Sequence, residues 1–278
     1  MAGRLQDRVA LVTGAARGQG RGIAVRLAQE GADIIAVDIA APIESVFYPL
    51  ATPEDLAGTV AQVEALGRRA VLVTADVRDF GTLDAAVGDA VARLGRLDIV
   101  AANAAVYGVG TVGMPEQTWQ DMIDVNLTGV WHTVKAAVPH LRAGDDGGSI
   151  VITGSAASLR PYPEASHYVA AKHGIVGLTR SLALELGPDR IRVNSVHPTG
   201  VDTPMIHNPS VYALFAPDLP EHERTRETLA GRFQTVNVLP IPWIDPVDIA
   251  NAVLWLSTEE ARYVTGVALP IDAGASIK

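Results

Sequence analysis

Three side chains near the middle of the chain have the types and the spacing that suit proton transfer. Tyr168 and Lys172 stand four residues apart in Tyr168-Val-Ala-Ala-Lys172, so they share one face if this segment is helical. A phenol has a reference pKa of about 10, and a nearby ammonium lowers this pKa because it favours the phenolate. Ser155 follows an apolar run, 13 residues before the tyrosine. Together the three residues predict an acid–base site in which Tyr168 exchanges the proton.

A glycine turn follows the first apolar run of the chain. It reads Thr-Gly-Ala-Ala-Arg-Gly-Gln-Gly over residues 13–20, and a helical pattern comes next. Such a turn between a strand and a helix lets the backbone approach a pyrophosphate, whose charge the helix N-terminus favours. The spacing is Gly-x-x-x-Gly-x-Gly and predicts a dinucleotide site. Its candidate cofactor-binding residues are Gly14, Arg17, Gly18, Gln19 and Gly20.

The cofactor class depends on two oppositely charged residues. Asp38 ends the second apolar run, 18 residues beyond Gly20, where a carboxylate can accept hydrogen bonds from a ribose 2′-hydroxyl. It would repel a 2′-phosphate, so it favours NAD. Arg17 favours NADP, because a basic residue at that place in the turn can contact the phosphate. We expect the repulsion from Asp38 to dominate and the cofactor to be NAD.

Short, almost continuously apolar runs alternate with segments of helical period along the chain. This alternation predicts βαβ units in one doubly wound, Rossmann-type α/β domain spanning residues 1–278, with a seven-stranded parallel sheet and helices on both faces. The predicted strands are Val9–Thr13, Asp33–Asp38, Ala70–Ala75, Leu97–Ala102, Ser149–Thr153, Ile191–Val196 and Val267–Ile271. The main predicted helices are Gly20–Glu30, Pro53–Leu66, Thr82–Leu94, Glu116–Leu141, Ala165–Leu186 and Pro246–Ser257.

Two stretches interrupt this alternation. Residues 39–52 form a long connection directly after Asp38, and residues 200–242 are rich in proline and aromatic residues. Long connections inside compact domains are more often binding loops than irregular coil. We expect the first, called the insertion below, to lie near the cofactor. The second, called the substrate segment, should close the substrate pocket with the apolar side chains of Met205, Ile206, Tyr212, Leu214, Phe215 and Phe233.

Composition excludes several classes of protein. The chain of 278 residues has 22 basic and 31 acidic residues, a net charge of −9 that argues against a nucleic-acid surface. Cysteine is absent, which rules out disulfide scaffolds and thiolate chemistry. The seven histidines show no metal-ligand spacing, so no metal site is expected. No apolar run reaches the roughly 20 residues of a membrane span. We expect a cytoplasmic protein that does not act at a membrane.

These motifs resemble those of the short-chain dehydrogenase/reductase family, and the resemblance covers essentially the whole chain. Residues 13–20 resemble the family's cofactor turn, and Asp76 and Val77 its adenine-contacting pair. Asn103 stands in Ala-Asn-Ala-Ala, where the family usually has Asn-Asn-Ala-Gly, and Asn126 matches its catalytic asparagine. The segment His-Pro-Thr-Gly-Val-Asp-Thr resembles one that contacts the nicotinamide. Its matching residues are Pro198, Val201 and Thr203.

The resemblance implies a role for each catalytic residue. Tyr168 takes the alcohol proton during oxidation and donates it during ketone reduction. Ser155 hydrogen-bonds the substrate oxygen, and Lys172 lowers the tyrosine pKa and binds the nicotinamide ribose. Asn126 links the lysine to solvent through water. The cofactor carries the hydride, while the protein supplies orientation and electrostatics.

A narrower resemblance points to the carveol-dehydrogenase-like, mycofactocin-associated branch of the family. It rests on the insertion, on the sequence around Tyr168 and His197, and on the ending from Arg262 to Gly274. It implies small hydrophobic secondary alcohols as substrates. It further implies a tightly held NAD that an external redox partner recycles, with the insertion folded over the adenosine half. Family members usually form tetramers, so a homotetramer is expected.

Two alternatives stay open at this point. One is a reductase for another carbonyl class, such as a steroid or an acyl-thioester, although the acidic net charge disfavours an acyl-carrier partner. The other is a non-catalytic protein that senses a dinucleotide. Such a sensor would need the glycine turn and Asp38 but not Ser155, Tyr168 and Lys172, and all three are present.

Overall fold

A parallel sheet of seven strands forms the centre of the computed structural model, which describes residues 3–144 and 146–278. The strand order is β3-β2-β1-β4-β5-β6-β7. The strands are β1 Val9–Thr13, β2 Asp33–Asp38, β3 Ala70–Thr74, β4 Ile99–Ala102, β5 Gly148–Thr153, β6 Ile191–Pro198 and β7 Ala268–Ile271. Because β1 pairs with both β2 and β4, the order reverses between β1 and β4 and a crevice opens at their carboxyl ends. The predicted fold class is confirmed.

The edges of the sheet differ from its centre. Every residue of β1, β2 and β4 is buried, as the apolar runs predict. The edge strand β3 alternates instead, and its Leu72 is 42% exposed. The other edge strand, β7, is only partly buried. The prediction of strands covered on both faces is therefore wrong at the two edges, where a strand has one neighbour and less cover from helices.

Helices cover both faces of the sheet. The helices are α1 Gly18–Gln29, α2 Pro53–Ala65, α3 Phe80–Leu94, α4 Glu116–Ile123, α5 Gly129–Arg142, α6 Ser166–Leu186, α7 Pro209–Phe215, α8 Arg226–Gln234 and α9 Pro246–Ser257. Local sequence sets several of their ends. Thr52 caps α2 in a capping box with Asp55, Asp79 caps α3, and α3 stops at Gly95 in a left-handed conformation.

One predicted helix is interrupted. The sequence predicts a continuous helix over Glu116–Leu141, but α4 and α5 are separated by a π-helical turn at Asp124–Thr128. The N–H of Gly129 reaches back five residues to the carbonyl of Asp124. Asn126 lies inside this turn, and its amide is bonded to the backbone of Val106 in the loop after β4. The wider turn thus accommodates a side-chain contact that the helical period cannot show.

Three apolar clusters hold the elements together. One side of the sheet packs against α3, α5 and α6, and the other side against α1, α2 and α9. The third cluster belongs to the substrate segment and centres on Val211, Ala216, Leu229 and Phe233. Within residues 3–144 and 146–278, no helix is long and apolar enough to cross a membrane.

Candidate active site

The glycine turn ends at an open helix N-terminus. Gly14 and Gly18 have φ of +66° and +54°, a conformation that favours glycine. A Cβ atom on Gly20 would lie 1.9 Å from the carbonyl oxygen of Gly14. Among the described residues, the N-cap Arg17 gives α1 no side-chain cap, and the first turn carries no acidic residue. The N–H groups in the first turn of α1 therefore have no side-chain cap and can bind an anion, which fits a dinucleotide pyrophosphate.

Asp38 connects the turn to the carboxyl end of β2. Its Oδ2 accepts the N–H of Ala16 and its Oδ1 accepts the N–H of Ala40, both at 3.0 Å. The carboxylate is 9% exposed and borders the crevice. A carboxylate has about four lone-pair sites, so two remain for ribose hydroxyls. The side chain thus supports the turn and presents a negative charge at the place where the sequence predicts it.

A narrow cavity runs along the crevice from Asp38 to Lys172. It is lined by predicted cofactor residues from the turn, from the ends of β2 and β3, and from the start of the loop after β4. They are Gly14, Arg17, Gly18, Gln19, Gly20, Asp38, Asp76, Val77, Asn103, Tyr168, Lys172 and Thr203. Pro198 and Val201 line a second, neighbouring cavity, and Thr203 lines both. The structure therefore brings all the predicted cofactor residues to two adjoining spaces.

Asn103 joins three elements below the turn. Its Nδ2 donates to the carbonyl of Thr13 at 3.0 Å, and its Oδ1 accepts the hydroxyl of Thr153 at 3.1 Å. Its amide thus ties the end of β4 to the ends of β1 and β5. In the same cavity, the carboxylate of Asp76 accepts the backbone N–H and the guanidinium of Arg78. Both residues are held in place before any ligand binds.

Residues of the insertion line the cavity together with Asp38. They include Ile43, Tyr48 and Leu50. The guanidinium of Arg17 donates to the carbonyl of Pro49 at 2.6 Å, which ties the insertion to the glycine turn. Tyr48 is 4% exposed, and burial raises the pKa of its phenol to about 12.

Tyr48 also reaches the substrate side. Its hydroxyl accepts the backbone N–H of Tyr107 at 3.1 Å, and the ring of Tyr107 packs edge-on against Tyr168 at 5.0 Å. Sequence reasoning missed both contacts. An aromatic residue a few positions after a central strand is the one signal that could have drawn attention to Tyr107.

The predicted catalytic side chains meet at the junction of the two cavities. Lys172 is 1% exposed, and its Nζ donates to the carbonyl of Thr153 at 2.9 Å and lies 5.8 Å from the centre of the Tyr168 ring. Tyr168 lines both cavities, and a side-chain hydrogen bond links it to Ser155. Ser155 follows β5, and Tyr168 and Lys172 lie on one face of α6, as their spacing predicts.

Burial controls the protonation of this pair in the protein itself. Burial raises the pKa of Tyr168 well above its ordinary value of 10, and the hydrogen bond from Ser155 offsets only part of this change. Burial also lowers the pKa of Lys172 to about 7. The resting state is therefore a protonated phenol beside an amine that is only partly protonated near neutral pH. A further positive charge in the crevice is needed to favour the phenolate.

Asn126 is buried and directed toward the loop after β4. Its Oδ1 accepts the N–H of Val106 and its Nδ2 donates to the carbonyl of Val106, both at 2.8 Å. The side chain thus positions this loop rather than pointing to Lys172. The water-mediated link between Asn126 and Lys172 stays a prediction.

The second cavity has a volume of about 550 Å³ and a mainly apolar lining. Its lining includes the predicted catalytic residues Ser155 and Tyr168, and it also includes the charged residues Arg160 and Glu164. The substrate segment supplies much of the apolar part through Met205, Ile206, Val211, Leu214, Phe215 and Phe233. Tyr212, which the sequence predicts in this lining, is not among the described residues that line the cavity. Its hydroxyl is instead bonded to Nδ1 of His207 at 2.8 Å. Val211 takes its place.

Within residues 3–144 and 146–278, no group of three or more histidine, aspartate or glutamate residues could hold a metal ion.

Comparison with known proteins identifies the family. The short chain dehydrogenase family matches residues 8–210. The chain is 56% identical over 277 residues to (−)-trans-carveol dehydrogenase of Rhodococcus erythropolis, with 99% of both chains covered. The structure matches that of carveol dehydrogenase from Mycobacterium avium in complex with NAD, with a TM-score of 0.97, 54% identity and coverage of 99% and 100%. It also matches a short chain dehydrogenase from Mycobacterium paratuberculosis bound to NAD, with a TM-score of 0.90, 45% identity and coverage of 99% and 100%. The chain therefore belongs to the short-chain dehydrogenase/reductase family of oxidoreductases.

Proposed function

We propose that this protein is an NAD-dependent oxidoreductase that interconverts a small hydrophobic secondary alcohol and its ketone, with Tyr168 as the acid–base group. The observation that carries the proposal is the position of Tyr168. Its side chain lines both the narrow crevice behind the glycine turn and the larger apolar cavity. A proton-transfer group therefore stands where a dinucleotide and an apolar substrate would meet.

The charges around the crevice favour NAD over NADP. The carboxylate of Asp38 stands at the end of β2, where a 2′-phosphate would meet its negative charge. The guanidinium of Arg17, which could have offset this repulsion, is bonded to the carbonyl of Pro49. The two similar structures are described as complexes with NAD.

Each catalytic side chain has a defined task in alcohol oxidation. NAD, when bound, supplies the hydride acceptor and a positive ring. The Tyr168 phenolate takes the hydroxyl proton of the substrate, and Ser155 hydrogen-bonds the substrate oxygen. In its protonated form, Lys172, which is held by the carbonyl of Thr153, stabilises the phenolate through its positive charge. During ketone reduction the same phenol donates its proton to the substrate oxygen.

The lining of the larger cavity supports an apolar cyclic alcohol, of which carveol is the type. This lining is mainly apolar and includes Phe215 and Phe233 together with Ser155 and Tyr168. One oxygen atom on a hydrocarbon ring could bond to Ser155 and Tyr168 while the ring contacts apolar side chains. The relative from Rhodococcus erythropolis is named for the same alcohol.

Slow release of NAD is part of the proposal. The insertion lines the adenosine end of the crevice and is tied on one side to Arg17 and on the other to Tyr107. Both contacts would have to open before the cofactor could leave. An external redox partner that reoxidises bound NADH, a homotetramer and a cytoplasmic location complete the proposal, and they rest on the family resemblance. We also take residues 1–278 as one domain, since two of the apolar clusters pack on the same sheet.

The cofactor content and the activity test this proposal together. The purified protein is denatured, the released dinucleotide is identified, and the native protein is assayed with carveol with and without an artificial electron acceptor. We expect NAD in a ratio of about one per chain, and turnover that requires the acceptor. Release of NADP would contradict the assignment of Asp38, and turnover driven by added NAD on an empty protein would contradict slow release.

Removal of the Tyr168 hydroxyl tests the acid–base group. We expect Tyr168→Phe to lower kcat about 1,000-fold, within the range that general acid–base catalysis supplies, while NAD content stays unchanged. The matched control is Tyr263→Phe, which removes the hydroxyl of an exposed tyrosine outside both cavities and should leave kcat unchanged. A Tyr168→Phe variant with normal kcat would assign the proton transfer to another group.

A further inference from the structure

A buried histidine behind the reacting centre has no part in the function proposed above. His197 is the second-last residue of β6 and is 0% exposed. Its Nδ1 lies 3.1 Å from the carbonyl oxygen of Ser155, and its Nε2 lies 2.8 Å from the hydroxyl of Ser195. The ring therefore connects the peptide of a catalytic residue to a neighbouring strand.

The partners of the ring decide its tautomer. A carbonyl oxygen only accepts hydrogen bonds, so Nδ1 must carry the proton that it shares with Ser155. Nε2 is then an acceptor, and the hydroxyl of Ser195 donates to it. Two charged groups face the ring, Lys172 and Asp272, and their effects on the pKa of His197 oppose each other. Burial is the largest influence and lowers this pKa to about 4, so the ring is neutral at ordinary pH.

Gly154 makes this contact possible. A Cβ atom on Gly154 would lie 2.4 Å from Nδ1 of His197, so any larger residue would displace the ring from Ser155. The rest of the Ser155 residue is also held. Its N–H donates to the hydroxyl of Ser158, and its own hydroxyl accepts the N–H of Ala157, both at 3.1 Å. The carbonyl oxygen of Ser155 has two contacts, the backbone N–H of Ser158 at 2.8 Å and Nδ1 of His197 at 3.1 Å.

We propose that His197 is a positioning residue for the reaction: its Nδ1–H holds the carbonyl of Ser155 and so directs the Ser155 hydroxyl toward the substrate oxygen. The His197 contact adds a side-chain restraint to a carbonyl that the turn already bonds, so that the residue is preorganised for a hydrogen bond to the reacting oxygen. This inference rests on the proposed function, because it assigns His197 to the same reaction.

Replacing His197 by Asn or by Gln tests the role of Nδ1, because the two side chains place their amide groups at different distances from the backbone. The amide nitrogen of Asn can occupy the position of Nδ1, whereas that of Gln extends beyond it. We expect His197→Gln to lower kcat about tenfold with an unchanged KM and NAD content, and His197→Asn to stay within about threefold of the wild type. The control is His222→Gln, since His222 lies outside the lining of both cavities. Equal losses for the two His197 variants, or none for His197→Gln, would overturn the proposal.

A double-mutant cycle separates positioning from general support of the fold. In a Ser155→Ala background the hydroxyl that His197 directs is missing, so His197→Gln should lower the residual kcat no further. A tenfold loss in both backgrounds would show that His197 merely supports the fold. A wild type that oxidises no alcohol would contradict the proposed function instead of this inference.

The unaltered enzyme offers a test that does not depend on how the variants fold. Nitrogen-15 NMR of histidine-labelled protein should show a proton on Nδ1 of His197 from pH 5.5 to 8.5. A neutral ring that carries its proton on Nε2 instead would contradict the hydrogen bond to Ser155 and with it the proposal.

Discussion

The cofactor crevice and the substrate segment are built in different ways. The crevice is formed by strand ends and a glycine turn, which buried polar contacts such as Asp38 to Ala16 and Asn103 to Thr13 hold against the sheet. The substrate segment consists of short helices, and its apolar cluster is separate from the two clusters of the sheet. The sheet register thus sets the geometry of the crevice, whereas the packing of a few side chains sets that of the substrate cavity. Changes in the first should abolish binding, and changes in the second should adjust it.

The largest effect is expected from one methyl group in the crevice. In Gly20→Ala the new Cβ would lie 1.9 Å from the carbonyl oxygen of Gly14, so the turn must move. We expect the affinity for NAD to fall more than 100-fold, which corresponds to about 3 kcal/mol, as measured by calorimetry or by retained NAD. Gly231→Ala in α8 is the control, because no described residue lies within 4 Å of the new methyl group. Equal effects of the two changes would remove the distinction between the two regions.

A smaller and more local effect is expected in the substrate segment. Phe233 is 2% exposed and stacks on Phe215 with 4.0 Å between ring centres. Phe233→Ala should lower the free energy of unfolding by about 3 kcal/mol and raise the KM for the alcohol about tenfold, while NAD content stays normal. The same replacement of Phe47 in the insertion, which is 40% exposed, should leave that KM unchanged. Loss of NAD from Phe233→Ala would show that the two regions are not independent.

The smallest effect concerns the group where the two regions meet. Burial lowers the pKa of Lys172 to about 7 in the folded protein, against 10.5 for its ordinary value. Between these values the unfolded chain binds more protons, so the free energy of unfolding of the NAD-free protein should rise with pH. We expect a rise of about 1 kcal/mol per pH unit from pH 7 to 9, measured by urea denaturation. Lys172→Met should remove this slope, whereas Lys135→Met, a change at an exposed helical lysine, should keep it. A slope that survives Lys172→Met would place its source elsewhere.

The difference between local patterns and distant contacts explains how much of the structure could be predicted from the sequence. The strand runs, the glycine turn, Asp38 and the Tyr168–Lys172 pair are local patterns, and each has a direct physical meaning for the backbone or the charge. They allowed the fold class, the family and the position of the crevice to be predicted. Strand and helix ends were mostly within two residues, because caps such as Thr52 and Gly95 are themselves local.

Features that depend on distant contacts could not be predicted in this way. The π-helical turn arises from the contact between Asn126 and Val106, 20 residues apart. The exclusion of Tyr212 from the cavity depends on its bond to His207, and the place of Val211 depends on the packing of two short helices. The bond between Tyr48 and Tyr107 spans 59 residues. Periodicity and motif spacing contain no information on such pairs.

Tyr107 connects the insertion to the substrate cavity, so it links cofactor binding to alcohol binding. Its N–H donates to the hydroxyl of Tyr48 in the insertion, which lines the crevice with Asp38, while its ring packs on Tyr168 and lines the second cavity. An alcohol that restrains this ring also restrains the insertion, and by thermodynamic reciprocity a bound NAD favours the alcohol by the same factor. The enzyme would then hold its cofactor most firmly while a substrate is present.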